Sequence, residues 1–306
     1  MPSSRSSATP SWRRTAEVGV PADGPRAILV DKPAGPTSHD VVSTVRRALG
    51  RTKAGHTGTL DPFATGLLVV LTGRATRLAP FLTGLDKTYR ATVRLGERSE
   101  SGDPEGPITP GGPVPDEAAV RAALATMTGV IEQQVPALSA VRVDGERLYA
   151  RTRRGEEVER PRREVVVHRA DLISYDHVNG LVEIEIRCGS GTYVRQIAVD
   201  LGESLGCGGY CSALRRTEVG DLSVKSALAP EDVQPGSGIS LLAAVGHIPR
   251  VDLDEAGLAE VVHGRRVQAP GAVAMGTVAL AAGDELVAIG LADDDGVVRP
   301  KVVLVS

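Results

Sequence analysis

The sequence predicts an α+β fold with a mixed, mostly antiparallel sheet and a small β-rich unit at the C-terminal end. Two segments, 89–95 and 182–186, alternate apolar and polar residues with the period of a half-exposed strand. Residues 67–71 form a continuous apolar run, which indicates a buried strand. Because helical patterns fall between these strands at irregular intervals, a regular β–α alternation with a parallel sheet is disfavoured.

The N-terminal elements follow from local patterns. Residues 27–30 form a short apolar strand, and the apolar residues between 41 and 49 recur at helical spacing. Ser38 or Asp40 is the expected N-cap of this helix, and Gly50 is its expected stop.

The remaining elements are read in the same way. Residues 99–115 are rich in Gly, Pro and acids, which predicts a loop, and Asp116 then caps a helix that reaches about residue 128. A tight turn at 189–191 precedes a helix over 192–206. The last ~55 residues alternate short apolar runs with Gly and Asp turns, which predicts a β-rich unit.

Length and composition favour a two-domain globular protein. The chain has 306 residues, of which 42% are hydrophobic and 3% aromatic. No apolar run reaches the ~18 residues of a transmembrane helix, and residues 1–24 lack the apolar segment of a signal peptide. We expect a disordered tail over 1–24, a main domain over 25–248, a small module over 249–306, and a cytoplasmic protein.

Charge is distributed unevenly along the chain. The net charge is −3, yet residues 26–98 carry 12 Lys and Arg against 5 Asp and Glu, whereas residues 251–306 carry 4 against 9. Nucleic-acid binding requires local positive surface rather than a basic whole. On charge alone, RNA binding and a chance fluctuation are equally good interpretations.

The three cysteines indicate neither a disulfide scaffold nor a metal site. Cys188, Cys207 and Cys211 are odd in number and irregular in spacing. Cys207 and Cys211 have no nearby His or second Cys pair to complete a zinc site. We therefore expect reduced cysteines in a packed core and no metal.

One carboxylate stands out as a candidate for chemistry. Asp61 lies in a turn rich in Gly and Thr that leads into the buried 67–71 strand. Loops anchored on rigid elements often carry catalytic groups. The alternative is a structural role, because Asp-Pro is a common turn dipeptide.

Several ordered motifs resemble the bacterial tRNA pseudouridine-55 synthase family (TruB) over residues 27–225. They are Leu29-Val-Asp-Lys-Pro-Ala-Gly-Pro-Thr-Ser-His39, Gly55-His-Thr-Gly-Thr-Leu-Asp-Pro-Phe-Ala-Thr-Gly66, Gly73-Arg-Ala-Thr-Arg77, Asp86-Lys-Thr-Tyr-Arg90, Gly145-Glu-Arg-Leu-Tyr149, Cys188-Gly-Ser-Gly-Thr-Tyr-Val-Arg195 and Leu214-Arg-Arg-Thr-Glu-Val-Gly220. The resemblance implies the pseudouridine synthase fold with a C-terminal module similar to a PUA domain. It also implies that a uridine in the T-loop of tRNA is flipped out and isomerised to pseudouridine.

The implied reaction breaks the N1–C1′ bond, turns the base and rejoins it through C5. It involves no redox change and no group transfer, so no cofactor and no metal are expected. Asp61 would stabilise the cationic sugar, attack C1′ or remove a proton from C2′, and the sequence does not choose among these routes. The family pattern places Arg195 beside Asp61 to keep it ionised. It places Tyr89 against the target base, which needs an aromatic face once it leaves the stack.

The resemblance assigns further residues to substrate binding. Leu214 corresponds to the apolar wall opposite Tyr89, and His56 packs on the RNA rather than moving protons. Thr59 belongs to the same loop, and Lys32 supports that loop and the RNA. Taken alone, each has an ordinary structural alternative: a core leucine, a histidine bonded within its turn, or a solvated lysine.

The Arg-rich segment at about 129–163 is interpreted as an insertion that forms a charged surface flap. It falls where the family has its RNA-gripping segment. It holds eight Arg between 142 and 163, among them Arg142 and Arg151, and it also holds Tyr149. Arginines bind phosphates bidentately, although six acids between 144 and 164 could pair with them instead. Leu138 and Arg142 replace the family's usual Tyr and Lys.

Other classes of protein fit the sequence less well. A non-catalytic RNA-binding or tRNA-folding protein would not need Asp61, Tyr89 and Arg195 together. Ser38, His39 and Asp40 are adjacent and so cannot converge as a hydrolase triad. A glycosidase would require a second acid in the Asp61 motif. The expected partner is the T-arm stem-loop of tRNA, bound by a monomer without an obligate protein partner.

Overall fold

The computed structural model describes residues 24–136, 139, 141–143, 145–148, 151, 154, 156, 159–269 and 274–305. The N-terminal tail expected over 1–24 therefore lies outside the described residues apart from Gly24. The strands are β1 Ala27–Lys32, β2 Ala54–His56, β3 Thr65–Thr72, β4 Lys87–Leu95, β5 Glu97–Ser99, β6 Ile108–Pro110, β7 Gly129–Gln134, β8 Arg142–Val143, β9 Glu146–Arg147, β10 Arg162–Asp176, β11 Leu181–Cys188, β12 Gly209–Val219, β13 Leu222–Ser223, β14 Arg250–Asp252, β15 Val267–Gln268, β16 Gly276–Ala282, β17 Glu285–Ala292 and β18 Val297–Val303. The α-helices are α1 Ser38–Ala48, α2 Ala79–Thr83, α3 Glu117–Ala125, α4 Val194–Ser204, α5 Leu241–Ala244 and α6 Glu255–Val262.

A nine-stranded mixed sheet forms the larger unit. Its main path runs β1-β3-β12-β4-β11-β10-β7, with β2 beside β3 and β13 beside β12. The β3–β12 pair is parallel and the other pairs of this sheet are antiparallel. The predicted mixed, mostly antiparallel α+β fold is confirmed.

Helices pack against this sheet through two separate apolar clusters. α3 and α4 pack on one face through a core that includes Val93, Ile184 and Ile197. α1 packs Val41, Val42 and Val45 on β1 and β3. The buried strand, the two alternating strands and these three helices agree with the sequence patterns.

The C-terminal strands form a second, five-stranded sheet in the order β14-β16-β17-β18-β15. A shared apolar cluster joins it to the larger sheet, with Leu67 and Leu71 on one side and Ala279, Leu286 and Ile289 on the other. The predicted β-rich character of the C-terminal end is confirmed.

Three details of the sequence prediction are wrong. The N-cap of α1 is Thr37, because Thr37 and Asp40 form a reciprocal capping box and Ser38 is already helical. The segment 99–115 is not entirely loop, since β5 and β6 pair as a short hairpin. The insertion is not wholly a flap, since β7 and the start of β10 pair as edge strands of the central sheet.

The cysteines and the membrane prediction have simple outcomes. Cys188, Cys207 and Cys211 are free and buried, as expected. In the part of the chain that the structure describes, no helix is long and apolar enough to cross a membrane.

Candidate active site

Asp61 lies in the loop that joins β2 to β3. The side chain of Asp61 is 33% exposed, so it is largely buried but still open to solvent on one side. The flanking residues Leu60 and Ala64 are buried. The Asp61 carbonyl accepts a hydrogen bond from the Ala64 amide over 3.1 Å, which closes a tight turn around the carboxylate.

A fully buried lysine supports the C-terminal half of this loop. Lys32 has 0% exposure, and its Nζ donates to the carbonyls of Pro33 at 2.9 Å, Pro62 at 3.0 Å and Ala64 at 2.7 Å. An ammonium group has three N–H donors, so this set uses all of them. The predicted contact of Lys32 with the RNA would therefore require the release of one of these bonds, and it stays a prediction. Its supporting role rests on these bonds.

Ser38 and Arg216 hold the N-terminal half of the same loop. Ser38 Oγ donates to the Leu60 carbonyl at 3.0 Å and accepts from the Leu60 amide at 2.9 Å. The buried Arg216 guanidinium donates to the carbonyls of Leu67 at 2.7 Å, Gly58 at 3.0 Å and Thr59 at 3.5 Å. With backbone anchors on both sides, Asp61 has little freedom to move, which suits a preorganised catalytic group.

Arg195 is shared between two carboxylates. Arg195 is 4% exposed and lies in the first turn of α4, and its Nη2 is 3.5 Å from Asp61 Oδ2. Its Nη1 donates to Asp103 Oδ2 in a shorter bond. Asp103 is buried in the turn between β5 and β6, where Ser101 Oγ and the Glu105 amide donate to its other oxygen. The predicted approach of Arg195 to Asp61 is present, and Asp103 is a partner that the sequence reading missed.

The local charges act on Asp61 in opposite directions. Burial raises the pKa of Asp61, and the negative charge of Asp103 adds to that rise. The cations of Arg195 and Lys32 lower it. The net direction is upward, so Asp61 ionises less readily than an ordinary aspartate, and its two cationic neighbours limit this effect.

Tyr89 and Leu214 belong to the apolar cluster that reaches the Asp61 loop. Tyr89 is on β4 and Leu214 on β12, and both share a buried cluster with Leu60 and Ala64. Burial is the largest cause of a raised phenol pKa at Tyr89, so the phenol is neutral at neutral pH. A neutral aromatic ring and an aliphatic side chain can line a base pocket, whereas a phenolate base is disfavoured here.

His56 and Thr59 lie on the approach to Asp61. His56 ends β2, and its buried Nδ1 has no hydrogen-bond partner among the described residues. Burial, followed by the charge of Arg216, lowers the pKa of His56, so the ring is neutral at neutral pH. Thr59 is exposed. These properties suit contact with RNA better than proton transfer.

The insertion residues are only partly described. Tyr149 lies outside the described residues, and of Arg142 only the backbone pairing in β8 is described. Arg151 Nε lies 2.9 Å from Glu156, and Arg154 binds both Glu146 and Glu156. Part of the arginine charge of the insertion is thus paired internally, as the alternative interpretation allowed.

Three residues of this site were not predicted from the sequence: Asp103, Arg216 and Ser38. Asp103 lies in a Gly- and Pro-rich segment without a local pattern that marks it, and only the fold brings it to Arg195. Arg216 stood inside a quoted motif, and Ser38 was considered as a helix cap. A buried charge that folds back onto a distant loop leaves no periodic signal in the sequence.

Family models match residues 46–236 and 249–304 of the chain. The TruB family pseudouridylate synthase N-terminal domain matches residues 46–194. The tRNA pseudouridylate synthase B C-terminal domain matches 195–236, and the pseudouridine synthase II TruB C-terminal model matches 249–304.

Curated relatives agree with these matches. The tRNA pseudouridine synthase B of Parasynechococcus marenigrum (strain WH8102) is 43% identical over 286 residues, which is 92% of this chain and 98% of the relative. That of Thermobifida fusca (strain YX) is 45% identical over 262 residues, or 82% of this chain and 88% of the relative. Among solved structures, a chain of an H/ACA ribonucleoprotein bound to a substrate RNA containing 2′-deoxyuridine is 25% identical with a TM-score of 0.69, covering 92% of this chain and 85% of that chain.

Proposed function

The chain belongs to the TruB family of pseudouridylate synthases, and we propose that it converts the T-loop uridine at position 55 of tRNA to pseudouridine. It is a tRNA-modifying isomerase, like its curated relatives, which are named tRNA pseudouridine synthase B. The observation that carries the proposal is the carboxylate of Asp61, held in a backbone-anchored loop beside Arg195.

Asp61 acts on the sugar of the flipped nucleotide. Cleavage of the N1–C1′ bond leaves positive charge on the sugar, which an ionised carboxylate stabilises electrostatically or by bonding to carbon. Removal of the C2′ proton by Asp61 is the other route, and the geometry is compatible with each. Arg195 keeps Asp61 ionised, and Asp103 holds Arg195 from its other side.

The base occupies the space beside Tyr89 and Leu214. Taking a base out of its stack costs a few kcal/mol of stacking and pairing free energy. Contact with the Tyr89 ring and the apolar wall of Leu214 compensates for part of that cost. His56 and Thr59 contact the RNA near the flipped base. Arg142, Tyr149 and Arg151 of the insertion contact the arm of the tRNA.

We assign the larger reaction unit to 25–248 and a PUA-like module to 249–306. We infer that the protein acts in the cytoplasm, where it meets tRNA, as a monomer without an obligate protein partner. The support for this is the family assignment. Sedimentation of the protein with and without one equivalent of tRNA tests the stoichiometry.

The reaction itself is tested on an unmodified T-arm stem-loop RNA with tritium at C5 of the target uridine. Wild type is expected to release tritium, whereas Asp61→Asn releases none and binds the RNA within several-fold of wild type. Asp116→Asn is the matched control, because asparagine caps a helix as well as aspartate does. A folded wild type that binds the RNA without tritium release would make this a binding protein.

A further inference from the structure

The helix that carries Arg195 has no side-chain cap of its own. Tyr193 is the N-cap residue of α4, and its side chain makes no capping hydrogen bond. Arg195 is the second residue of α4, so its position depends on whatever fixes this N-terminus. The N-cap position of a helix is normally occupied by Ser, Thr, Asp or Asn, whose side chain accepts a hydrogen bond from an amide of the first turn.

Gln133 supplies that support from 60 residues away. Its Nε2 donates to the Tyr193 carbonyl at 3.0 Å, and its Oε1 accepts from the Tyr193 amide at 2.8 Å. Gln133 is 1% exposed and lies on the edge strand β7, where the insertion begins. The two bonds fix both the position and the orientation of the peptide groups at Tyr193.

Arg163 contacts the same segment from the strand on which the insertion ends. Arg163 and Gln133 are register partners of the antiparallel β10–β7 pair, so their side chains project from the same face of the sheet. The Arg163 guanidinium lies 4.8 Å from the centre of the Tyr193 ring and donates to the Gly191 carbonyl. One cross-strand pair therefore holds the backbone, the ring and the preceding turn of Tyr193.

We propose that Gln133 and Arg163 are positioning residues that set the placement of Arg195 against Asp61 through Tyr193. This inference rests on the proposed function of Asp61 and Arg195. It also gives the two ends of the insertion, on β7 and β10, a role in catalysis that is separate from any contact with RNA.

The physical argument is one of distance. The Arg195–Asp61 contact of 3.5 Å is longer than the Arg195–Asp103 contact, so it is the one that a small displacement of α4 would break first. A misplacement of about 1 Å far from the reacting atoms can reduce a rate by about 10²-fold. Asp103 binds the other terminal nitrogen, Nη1, so that bond can persist while the distance from Nη2 to Asp61 lengthens.

The test uses Gln133→Met, which keeps the length of the side chain and removes both bonds. We expect the single-turnover rate of pseudouridine formation on the T-arm stem-loop to fall about tenfold, consistent with the loss of two hydrogen bonds. The dissociation constant for the RNA is expected to stay within about twofold, since neither bond involves RNA. Gln134→Met is the matched control, because the neighbouring Gln134 accepts instead from Arg160 at 2.7 Å.

The pH profile separates positioning from general loss of stability. Asp61 faces Arg195, Asp103 and Lys32, and a weaker Arg195 contact raises its pKa further. The acid limb of the rate profile of Gln133→Met should therefore move to higher pH. An unchanged acid limb with a wild-type rate in the folded variant would overturn the proposal, as would an equal loss in Gln134→Met.

A second variant keeps the proposal testable if Gln133→Met folds poorly. Arg163→Met retains the aliphatic stem but loses the cation–π contact with Tyr193 and the bond to the Gly191 carbonyl. It should lower the rate about threefold, with a smaller shift of the same limb. Weaker RNA binding with an unchanged acid limb would show that Arg163 binds RNA instead, and would overturn its part. If Asp61→Asn retains activity, the proposed function itself has failed, whatever these variants do.

Discussion

The backbones of Gly66 and Arg216 lie so close together that a Cβ atom at Gly66 would be 2.2 Å from the Arg216 carbonyl oxygen. The two residues face each other in the parallel pairing of β3 with β12. Gly66 has a φ of 101°, which side chains rarely allow. This approach brings the Arg216 guanidinium to the carbonyls of Gly58 and Thr59, and so connects a glycine of the core to the loop of Asp61.

Gly66→Ala is therefore expected to destabilise the protein by about 3 kcal/mol or more, because the added methyl group meets backbone and the φ is strained. Urea unfolding measures the free energy. Gly55→Ala is the control, since Gly55 has no heavy atom within 4 Å of its added Cβ. Equal stability of the two variants would contradict the close approach.

Asp61→Asn is expected to be more stable than wild type at neutral pH. The pKa of Asp61 is raised in the folded state, so the folded protein loses stability as Asp61 ionises with rising pH. The advantage of the variant should disappear below the ordinary value of 3.8, where both states of the wild type hold the proton. Arg195 keeps Asp103 as a partner, so no buried cation is left alone.

Thermal unfolding of both proteins between pH 3 and pH 7 measures this difference. A variant that is less stable than wild type at neutral pH would mean that the Arg195–Asp61 attraction exceeds the cost of burying the carboxylate. That result would reverse the direction assigned to the pKa of Asp61. It would leave the catalytic proposal intact, because both cases place an ionised carboxylate at the site.

Lys32→Met is expected to lower the rate roughly tenfold or more and to cost about 1–3 kcal/mol of stability, because three carbonyls of the loop lose their donor. Burial lowers the pKa of Lys32 to about 8. Above that pH the neutral amine lacks one donor, so the wild-type rate should fall through an alkaline limb near pH 8 that the variant lacks.

Lys87 provides the matched control for that limb. It is also buried, its pKa is also lowered to about 8, and it donates to the carbonyls of Thr83 and Leu85 at the end of α2, not to the Asp61 loop. Lys87→Met should keep the alkaline limb. The free energy of unfolding changes with pH in the opposite direction to the rate. Between pH 8 and 10.5 the unfolded chain still holds the Lys32 proton that the folded chain has released. The contribution of Lys32 to stability therefore rises with pH in this range.

The parts of the fold that were predicted are those with a periodic signal. Local patterns predict three strands: the alternating residues of β4 and β11, and the apolar run of β3. The long strand β10 and the strand β12 carry mixed charges and were not predicted as strands, because their pairing with β11 and β4 depends on neighbours far along the chain.

The candidate site shows the same division. Asp61 and Arg195 stood in motifs, and their meeting at 3.5 Å agrees with the expected pair. Asp103 and Gln133 act through residues 92 and 60 positions away, and no local pattern identifies such partners. Loop support by Lys32 was expected from its motif, but only the fold shows that its three donors go to the carbonyls of Pro33, Pro62 and Ala64.

Glu156→Gln is expected to strengthen RNA binding at low salt. Glu156 accepts from both Arg151 and Arg154, so its loss releases positive charge on the insertion for phosphate contact. A gain of about two- to fivefold in affinity at 50 mM salt, fading towards 500 mM, is consistent with one more ionic contact. Filter binding of the T-arm stem-loop across this salt range measures the change in affinity.

Glu117→Gln breaks an exposed ion pair with Arg121 on α3 and should change nothing, which controls for net charge. An unchanged salt slope for Glu156→Gln would place Arg151 and Arg154 away from the RNA and limit the role of the insertion to its edge strands.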